Sequence, residues 1–548
     1  MIRQNGDMAL AALSWCTLAA VPFAIRPRVL CATLLLACCA AALLPGLARA
    51  NRSQESIFQD DNYLIYSGTA TVDRTLGVLA SLGVQRVRVT IKWSTVAPNP
   101  TSRRRPAGFD ATNPADYPAG TLARYDQVLK LAEKHGIGVE FNVTAPGPLW
   151  AMRHDSPTAR AADHFAPNIA DYSKFVQALG TRYSGTYDSI PRVSVWSIWN
   201  EPNQPGWLAP QSRSYRGKQV PNSPRLYRQY VQAAFTGLKK SGHLSGRDKI
   251  LIGELAPEGY TTPGFYTAIT PMPFLRALYC VDAGYRPLRG SIAAALGCPT
   301  RGSRGAFVKA NPGLFAATGF GHHPYYFFQP PGKSSSDQNF APIANLGRLE
   351  RGLDMAFRAY GVHRQIPLYL TEYGYKTKPP NPYTPFSPAQ QAEFLNQADY
   401  IAWRDPRVRS VAQFLLYDSR PDTRYRRSSP SYWDTFQTGL KFAGGRPKPA
   451  YGAYRMPIWI PSPKVHRGAT MFVWGQLRAA AHSTLQRAEI QWHRPGGTYH
   501  TIAVASTRNR ESYLTVQVRP PATGEIRIAW RSPSSGVLVS RSVPVQVG

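Results

Sequence analysis

Two carboxylates in this sequence occupy positions where chemistry is done. The β-rich run Val195-Trp196-Ser197-Ile198-Trp199 ends in Asn200-Glu201-Pro202. Proline has no N–H for a strand ladder, so a strand there must stop, and Glu201 projects from its C-terminal end. The apolar run Ile366-Pro367-Leu368-Tyr369-Leu370-Thr371 delivers Glu372 in the same way. The two glutamates are 171 residues apart (372 − 201), about three strand–helix units with long loops. A lone glutamate near a strand end is ordinarily a surface or ion-pair residue. A pair in this arrangement can divide proton transfer and nucleophilic attack between them.

The elements that must position such a pair are written in the apolar spacing. Helical periodicity appears at Val72, Leu76, Leu79 and Leu82, then at Leu122, Tyr125, Val128, Leu129 and Ala132. It recurs at Tyr172, Phe175, Val176 and Leu179, at Leu226, Tyr230, Ala234 and Leu238, and at Leu346, Leu349, Leu353 and Phe357. A further helix opens at Ser387-Pro388, with Gln390 completing a capping box. Between these lie short β-rich runs at 84–89, 137–143, 193–199, 250–253, 318–321, 367–371 and 411–417. From about Asn62 onward this alternation predicts seven or eight βα units, and hence an α/β (β/α)8 TIM barrel over 51–457. A doubly wound sheet is the competitor, weakened because no glycine-rich phosphate turn follows an early strand. After Met456 the pattern changes to short alternating strands separated by Pro495-Gly496-Gly497 and Pro520-Pro521. That predicts a C-terminal all-β sandwich domain over 458–548, either a carbohydrate-binding module or a structural appendage.

Further residues fall in order along the same frame. Val87-Arg88-Val89 is followed by Trp93; His323-Pro324-Tyr325 and Pro447-Lys448-Pro449-Ala450-Tyr451 come later. With Asn200-Glu201-Pro202 and Glu372, these segments make the chain from about 60 to 455 resemble the clan A (β/α)8 glycoside hydrolases, which include family 5 cellulases and family 39 xylosidases. The resemblance implies Glu201, at the end of strand four, as acid/base, and Glu372, at the end of strand seven, as nucleophile. It also implies retaining hydrolysis of O-glycosidic bonds in a poly- or oligosaccharide, with no metal and no other cofactor.

That mechanism needs two carboxyls about 5–5.5 Å apart. Glu372 must be ionised to attack, with Arg88 and Tyr325 as its expected stabilisers. Glu201 must begin protonated, and Asn200 is expected to hold the sugar's 2-hydroxyl. Arg88 could instead serve a structural ion pair, and His323 reads equally as a core histidine or a substrate contact. Trp93, Trp150, Trp199, Trp207 and Trp433 are candidate sugar platforms, with Trp433, in the loop after the last strand, preferred and most of the others expected in the core.

Composition narrows the remaining classes. The chain has 548 residues, 43% hydrophobic and 11% aromatic, and a net charge of +32. The basic residues are dispersed, with short clusters only at 103–105 and 424–427, and no nucleic-acid-binding motif accompanies them. The charge suits an acidic carbohydrate or a cell envelope instead. Neither a zinc helix nor a nucleophile elbow is present, and no protein partner is implied. Arg26 and Arg28, the apolar run 29–47 and Ala48-Arg49-Ala50 read as a signal peptide over 1–50, with a membrane anchor as the alternative. Four cysteines, Cys16, Cys31, Cys38 and Cys39, lie in that leader. Cys280 and Cys298 remain, as one expected disulfide in an exported chain. A surface carbohydrate-binding protein without catalysis, or a transglycosylase using the same carboxylates, stands as an alternative function.

Overall fold

The computed structural model describes residues 50–548, apart from 52 and 534. The leader therefore lies outside the described residues, except for Ala50. Eight parallel strands close into a barrel: β1 (Glu55–Gln59), β2 (Arg86–Lys92), β3 (Gly138–Thr144), β4 (Val195–Ile198), β5 (Lys249–Leu255), β6 (Gly319–His322), β7 (Leu368–Leu370) and β8 (Val408–Phe414). Each pairs with its sequence neighbours, and the ladder from Glu55↔Ser410 to Gln59↔Phe414 closes the ring. β1 is a strand that the sequence reading, starting near Asn62, does not include. Its five residues hold polar Ser56 and Gln59, so apolar content alone gives no signal, although both are buried.

The strands follow the two-residue period. In β2, Val87, Val89 and Ile91 join the core beneath the helices, while Arg88 and Thr90 are the buried polar residues between them. Glu140 and Asn142 in β3 alternate in the same way with Val139, Phe141 and Val143. Inside the ring, Val195, Leu251 and Tyr369 form a small apolar cluster of their own. Two residues further along each strand come Ser197, Gly253 and Thr371, so the interior changes from an apolar floor to a polar layer towards the strands' C-terminal ends.

Helices α1 (Thr69–Ser81), α2 (Ala123–Lys134), α3 (Ile169–Arg182), α4 (Ser223–Lys240), α5 (Pro271–Leu278), α6 (Leu346–Ala359), α7 (Pro388–Arg404) and α8 (Pro449–Arg455) follow the successive strands. α3 buries Tyr172, Phe175, Val176 and Leu179, the face its spacing selects. The capping box of Ser387 and Gln390 starts α7, with Pro388 in its first turn. Cys280 and Cys298, in the long β5–β6 connection, are disulfide-bonded.

The C-terminal region is all-β. One sheet comprises Ile458–Trp459, Met471–Gln476 and Tyr513–Val518; the other comprises Lys464–Val465, Gln486–His493, His500–Thr507, Gly524–Ser532, Gly536–Val539 and Val543–Val547. Val473, Ile490, Trp492, Ile526, Ile528 and Val545 share its core. This domain packs on the strands' N-terminal side of the barrel. Arg478 donates to Ser56 (3.1 Å) and Asp399 (2.7 Å), and Gln85 donates to Glu511 (2.6 Å). A side chain at Gly83 would meet the Arg478 backbone at 2.1 Å, so the contact needs glycine there. Among the described residues, no helix is long and apolar enough to cross a membrane.

Candidate active site

The turn that presents Glu201 is built from its neighbours. Trp199 and Glu201 both adopt the left-handed region, with φ of 69° and 38°. This costs free energy for non-glycine residues and is held by surrounding contacts. Trp199 is fully buried and stacks on Tyr230 at 4.8 Å. Its N–H donates to Val143 (3.0 Å), the Asn200 N–H donates to Thr144 Oγ1 (3.0 Å), and the Glu201 N–H donates to the Glu254 carbonyl (2.9 Å). Packing and hydrogen bonds thus aim Asn200 and Glu201 into the opening at the C-terminal ends of the strands.

Arg88 rises from β2 into the middle of this end, completely buried. Its Nη1 donates to Glu372 Oε1 (2.8 Å), and its Nη2 donates to Asn200 Oδ1 (2.7 Å) and Glu254 Oε2 (2.8 Å). A planar guanidinium with a fixed fork of donors suits such a junction. Because Arg88 occupies the Asn200 amide oxygen, the amide NH2 is the end left to the cleft. Tyr325 donates its hydroxyl to Glu372 Oε2 (3.2 Å). Both expected contacts of Glu372 are therefore present.

His323 is fully buried and bonded to the site's carboxylates, without lining the cleft. One ring nitrogen, Nδ1, lies 2.9 Å from Glu201 Oε1 and 3.6 Å from Glu372 Oε2; the other, Nε2, lies 3.1 Å from Glu254 Oε2. Burial alone would lower its pKa. The Glu372 charge and the bonds to Glu201 and Glu254 outweigh that and push it up to about 10. His323 is then an imidazolium donating on both sides. The adjacent His322 has no such company: burial pushes it down to about 4, and it bonds the Ala341 carbonyl. Burial raises Glu372, with His323 and Arg88 opposing.

Glu201, His323 and Glu372 each bring an atom within 4.8 Å of the others. The same three could in principle hold a cation. However, both nitrogens of His323 already face carboxylates, Glu201 on one side and Glu254 on the other.

Two interior carboxylates escaped the sequence reading. Glu254, at the end of β5, is fully buried and accepts from Arg88, His323 and Thr371 Oγ1 (2.9 Å). Burial would raise its pKa, but Arg88 and His323 overcome this and hold it below the ordinary range. The signal that marks Glu201 and Glu372, a carboxylate closing an apolar strand, is also present in Leu251-Ile252-Gly253-Glu254. A β-carbon at Gly321 would lie 1.9 Å from Glu254 Oε1, so the missing side chain is what admits this glutamate. Glu140, deeper and fully buried, is pushed up to about 7 by burial and then by the Glu254 charge.

Above these groups opens a cleft of about 430 Å³, lined among others by Asn200, Glu201, Tyr325 and Glu372 and by the rings of Trp207, Phe327 and Phe436. Of the five tryptophans considered as platforms, Trp207 lines it. Trp93, Trp150 and Trp199 are buried in the core, where Trp93 stacks on Phe175 at 5.2 Å. Trp433 is largely buried in a neighbouring recess, its indole N–H donating to the Arg427 carbonyl (3.1 Å), and is not brought to the cleft. Its short helical turn, Pro430–Trp433, folds the ring back under its own loop.

No family model and no curated protein matches the chain. Solved structures similar to it include a GH5_18 protein from Streptomyces cattleya in complex with GlcNAc (13% identity, 74% of this chain and 79% of that one, TM-score 0.43). They also include a monomeric β-xylosidase from Caulobacter crescentus (14%, 87% and 99%, 0.43) and a GH30 endoxylanase from Clostridium papyrosolvens (10%, 86% and 95%, 0.41).

Proposed function

We propose that this protein is an exported, retaining glycosidase that cleaves O-glycosidic bonds by double displacement. The observation that carries the reading is the carboxyl pair: Glu201 and Glu372 end the fourth and seventh strands of one barrel, bring oxygens within 4.8 Å of each other, and face a common cleft. That closeness suits direct attack by a carboxylate better than it suits the wider spacing of an inverting pair.

In the first step a Glu372 oxygen bonds to the anomeric carbon while the glycosidic C–O bond breaks and the proton of Glu201 passes to the leaving oxygen. In the second, Glu201 takes a proton from water, whose oxygen displaces Glu372 from the sugar. Arg88 and Tyr325 orient the attacking carboxylate. The free amide of Asn200 is available to a sugar hydroxyl. Export is supported by the leader pattern and by the disulfide of Cys280 and Cys298.

The test is turnover of aryl-glycosides and polysaccharides by the mature chain beside Glu372→Ala and Glu201→Ala. Glu372→Ala should lose at least about 10³-fold in kcat and recover with azide, releasing a glycosyl azide of inverted configuration. Glu372→Ala with wild-type turnover would sink the assignment.

A further inference from the structure

Beyond the catalytic groups, a recess beside the cleft, beneath the β8–α8 loop, holds a lysine that makes no ion pair among the described residues. Lys376 follows Glu372 by four residues, so the connecting chain spans at most about 14 Å. A ladder of rings leads to it from the carboxylate: Tyr325, bonded to Glu372, stacks on Phe327 at 4.7 Å, and the Lys376 ammonium sits 5.4 Å from the Phe327 ring and 5.1 Å from that of Phe436. Both phenylalanines line the cleft. Lys376 itself lines an adjoining recess of about 230 Å³, together with Phe328, Tyr383 and Trp433, and Phe327 is the wall that this recess shares with the cleft.

Among the described residues, the Lys376 ammonium makes no ion pair and donates no hydrogen bond. Burial lowers its pKa, and the charge of Asp434 in the same recess offsets only part of that. A half-buried ammonium over two aromatic rings and in no ion pair binds an incoming anion more strongly than a fully solvated surface lysine does. The rim repeats the sign. Arg420, Arg426 and Arg427 are exposed in the loop covering the recess, and only Arg424 is paired there, with Asp422. Besides Glu201 and Glu372, the carboxylates lining the cleft are Asp61, which accepts from the Thr90 N–H, and Glu258, which follows β5.

We propose that Lys376, framed by Phe327 and Phe436, is a subsite for an anionic substituent of the substrate, a uronic-acid carboxylate or a sulfate ester, so that the glycan cleaved is acidic. This rests on the glycosidase reading and names its substrate class. The rings supply apolar faces for the sugar, and the ammonium supplies the charge that a neutral sugar would leave unsatisfied.

The experiment compares wild type with Lys376→Gln and Lys376→Arg on uronate-containing and sulfated oligosaccharides and on their carboxyl-reduced and desulfated derivatives, which separate the two sources of charge. The ratio of kcat/KM for the acidic form over its neutral derivative should exceed one in the wild type. It should fall about 10- to 100-fold in Lys376→Gln, mostly through KM, and stay within a few-fold in Lys376→Arg. A ratio unchanged by Lys376→Gln, or a wild type that prefers the neutral derivative, overturns the proposal. If wild type cleaves none of them, the glycosidase reading suffers instead. The subsite is then decided by calorimetric binding of the same oligosaccharides to Glu372→Ala with and without Lys376→Gln, where equal affinity for acidic and neutral forms overturns it.

Discussion

Replacing Glu254 by glutamine removes one charge from the site and almost no volume. Glu254 Oε2 accepts three hydrogen bonds, from Arg88, His323 and Thr371, at 2.8, 3.1 and 2.9 Å. Glutamine can keep an acceptor oxygen there, but it cannot compensate two cations. His323 should respond most. Its pKa stands at about 10 against an ordinary 6.5, which corresponds to about 5 kcal/mol favouring the protonated ring. The folded value is the raised one, so this stabilisation is fully present below pH 6.5 and is lost as pH rises towards 10. Glu254 shares it with Glu372 and Glu201, and losing one of three partners should remove roughly a third of it, about 1–2 kcal/mol.

Two measurements follow from that arithmetic. Followed by NMR of the imidazole ring, the titration of His323 should move down by about one pH unit in Glu254→Gln. In denaturant unfolding, the variant should lose about 2–4 kcal/mol at pH 6, because Arg88 is left with less compensating charge in the interior, and less than that at pH 9. A Glu254→Gln enzyme with the wild-type His323 titration and a pH-independent loss of stability would refute the argument that Glu254 keeps His323 charged.

Two other perturbations probe the scaffold. Gly321→Ala forces a methyl group to within 1.9 Å of Glu254 Oε1, so it should displace that carboxylate, cost about 1–3 kcal/mol in unfolding experiments, and shift the His323 titration in the same direction as Glu254→Gln. Removing the disulfide with Cys280→Ser and Cys298→Ser opens a loop with a sequence separation of 18, which should cost about 3 kcal/mol and lower the Tm while leaving the His323 titration in place.

What the sequence disclosed and what it concealed follow one physical line. Helices were legible because their buried faces repeat at helical spacing, as in α3 and α6, where the residues selected by spacing are those buried. Glu201 and Glu372 were legible because each closes an apolar strand beside a distinctive neighbour, Pro202 or Thr371. β1 was not, because polar Ser56 and Gln59 are buried by the surroundings the barrel provides and give no hydropathic signal. In the C-terminal region, His500–Thr507 gives little signal for a related reason: most of its positions are exposed or half-buried and its alternation is weak. Glu254 carries the same strand-end signal as the other two, but its role depends on Gly321, Arg88 and His323, which lie far apart in sequence. Trp433 erred in the other direction, since a tryptophan in a loop after the last strand says nothing of which way the loop folds.

The charge pattern at the strand ends gives these groups a common logic. Arg88 and His323 are cations, and Glu254 and Glu372 anions, so the four sum to zero in an interior where an isolated charge would be costly. On the double-displacement reading, Glu372 gives up its charge when it bonds to the sugar, just as Glu201 acquires one by releasing its proton. The total is still zero, and the negative charge has only moved from one side of His323 to the other. The Nδ1 of His323 lies 3.6 Å from Glu372 and 2.9 Å from Glu201, so a single N–H, held in its charged form from behind by Glu254, faces both the origin and the destination of that charge. A group fixed in advance where charge develops need not reorganise as the reaction proceeds, which is the main source of electrostatic rate enhancement. Glu254, which never reaches the cleft, would therefore act on both steps through the one side chain that touches both carboxylates.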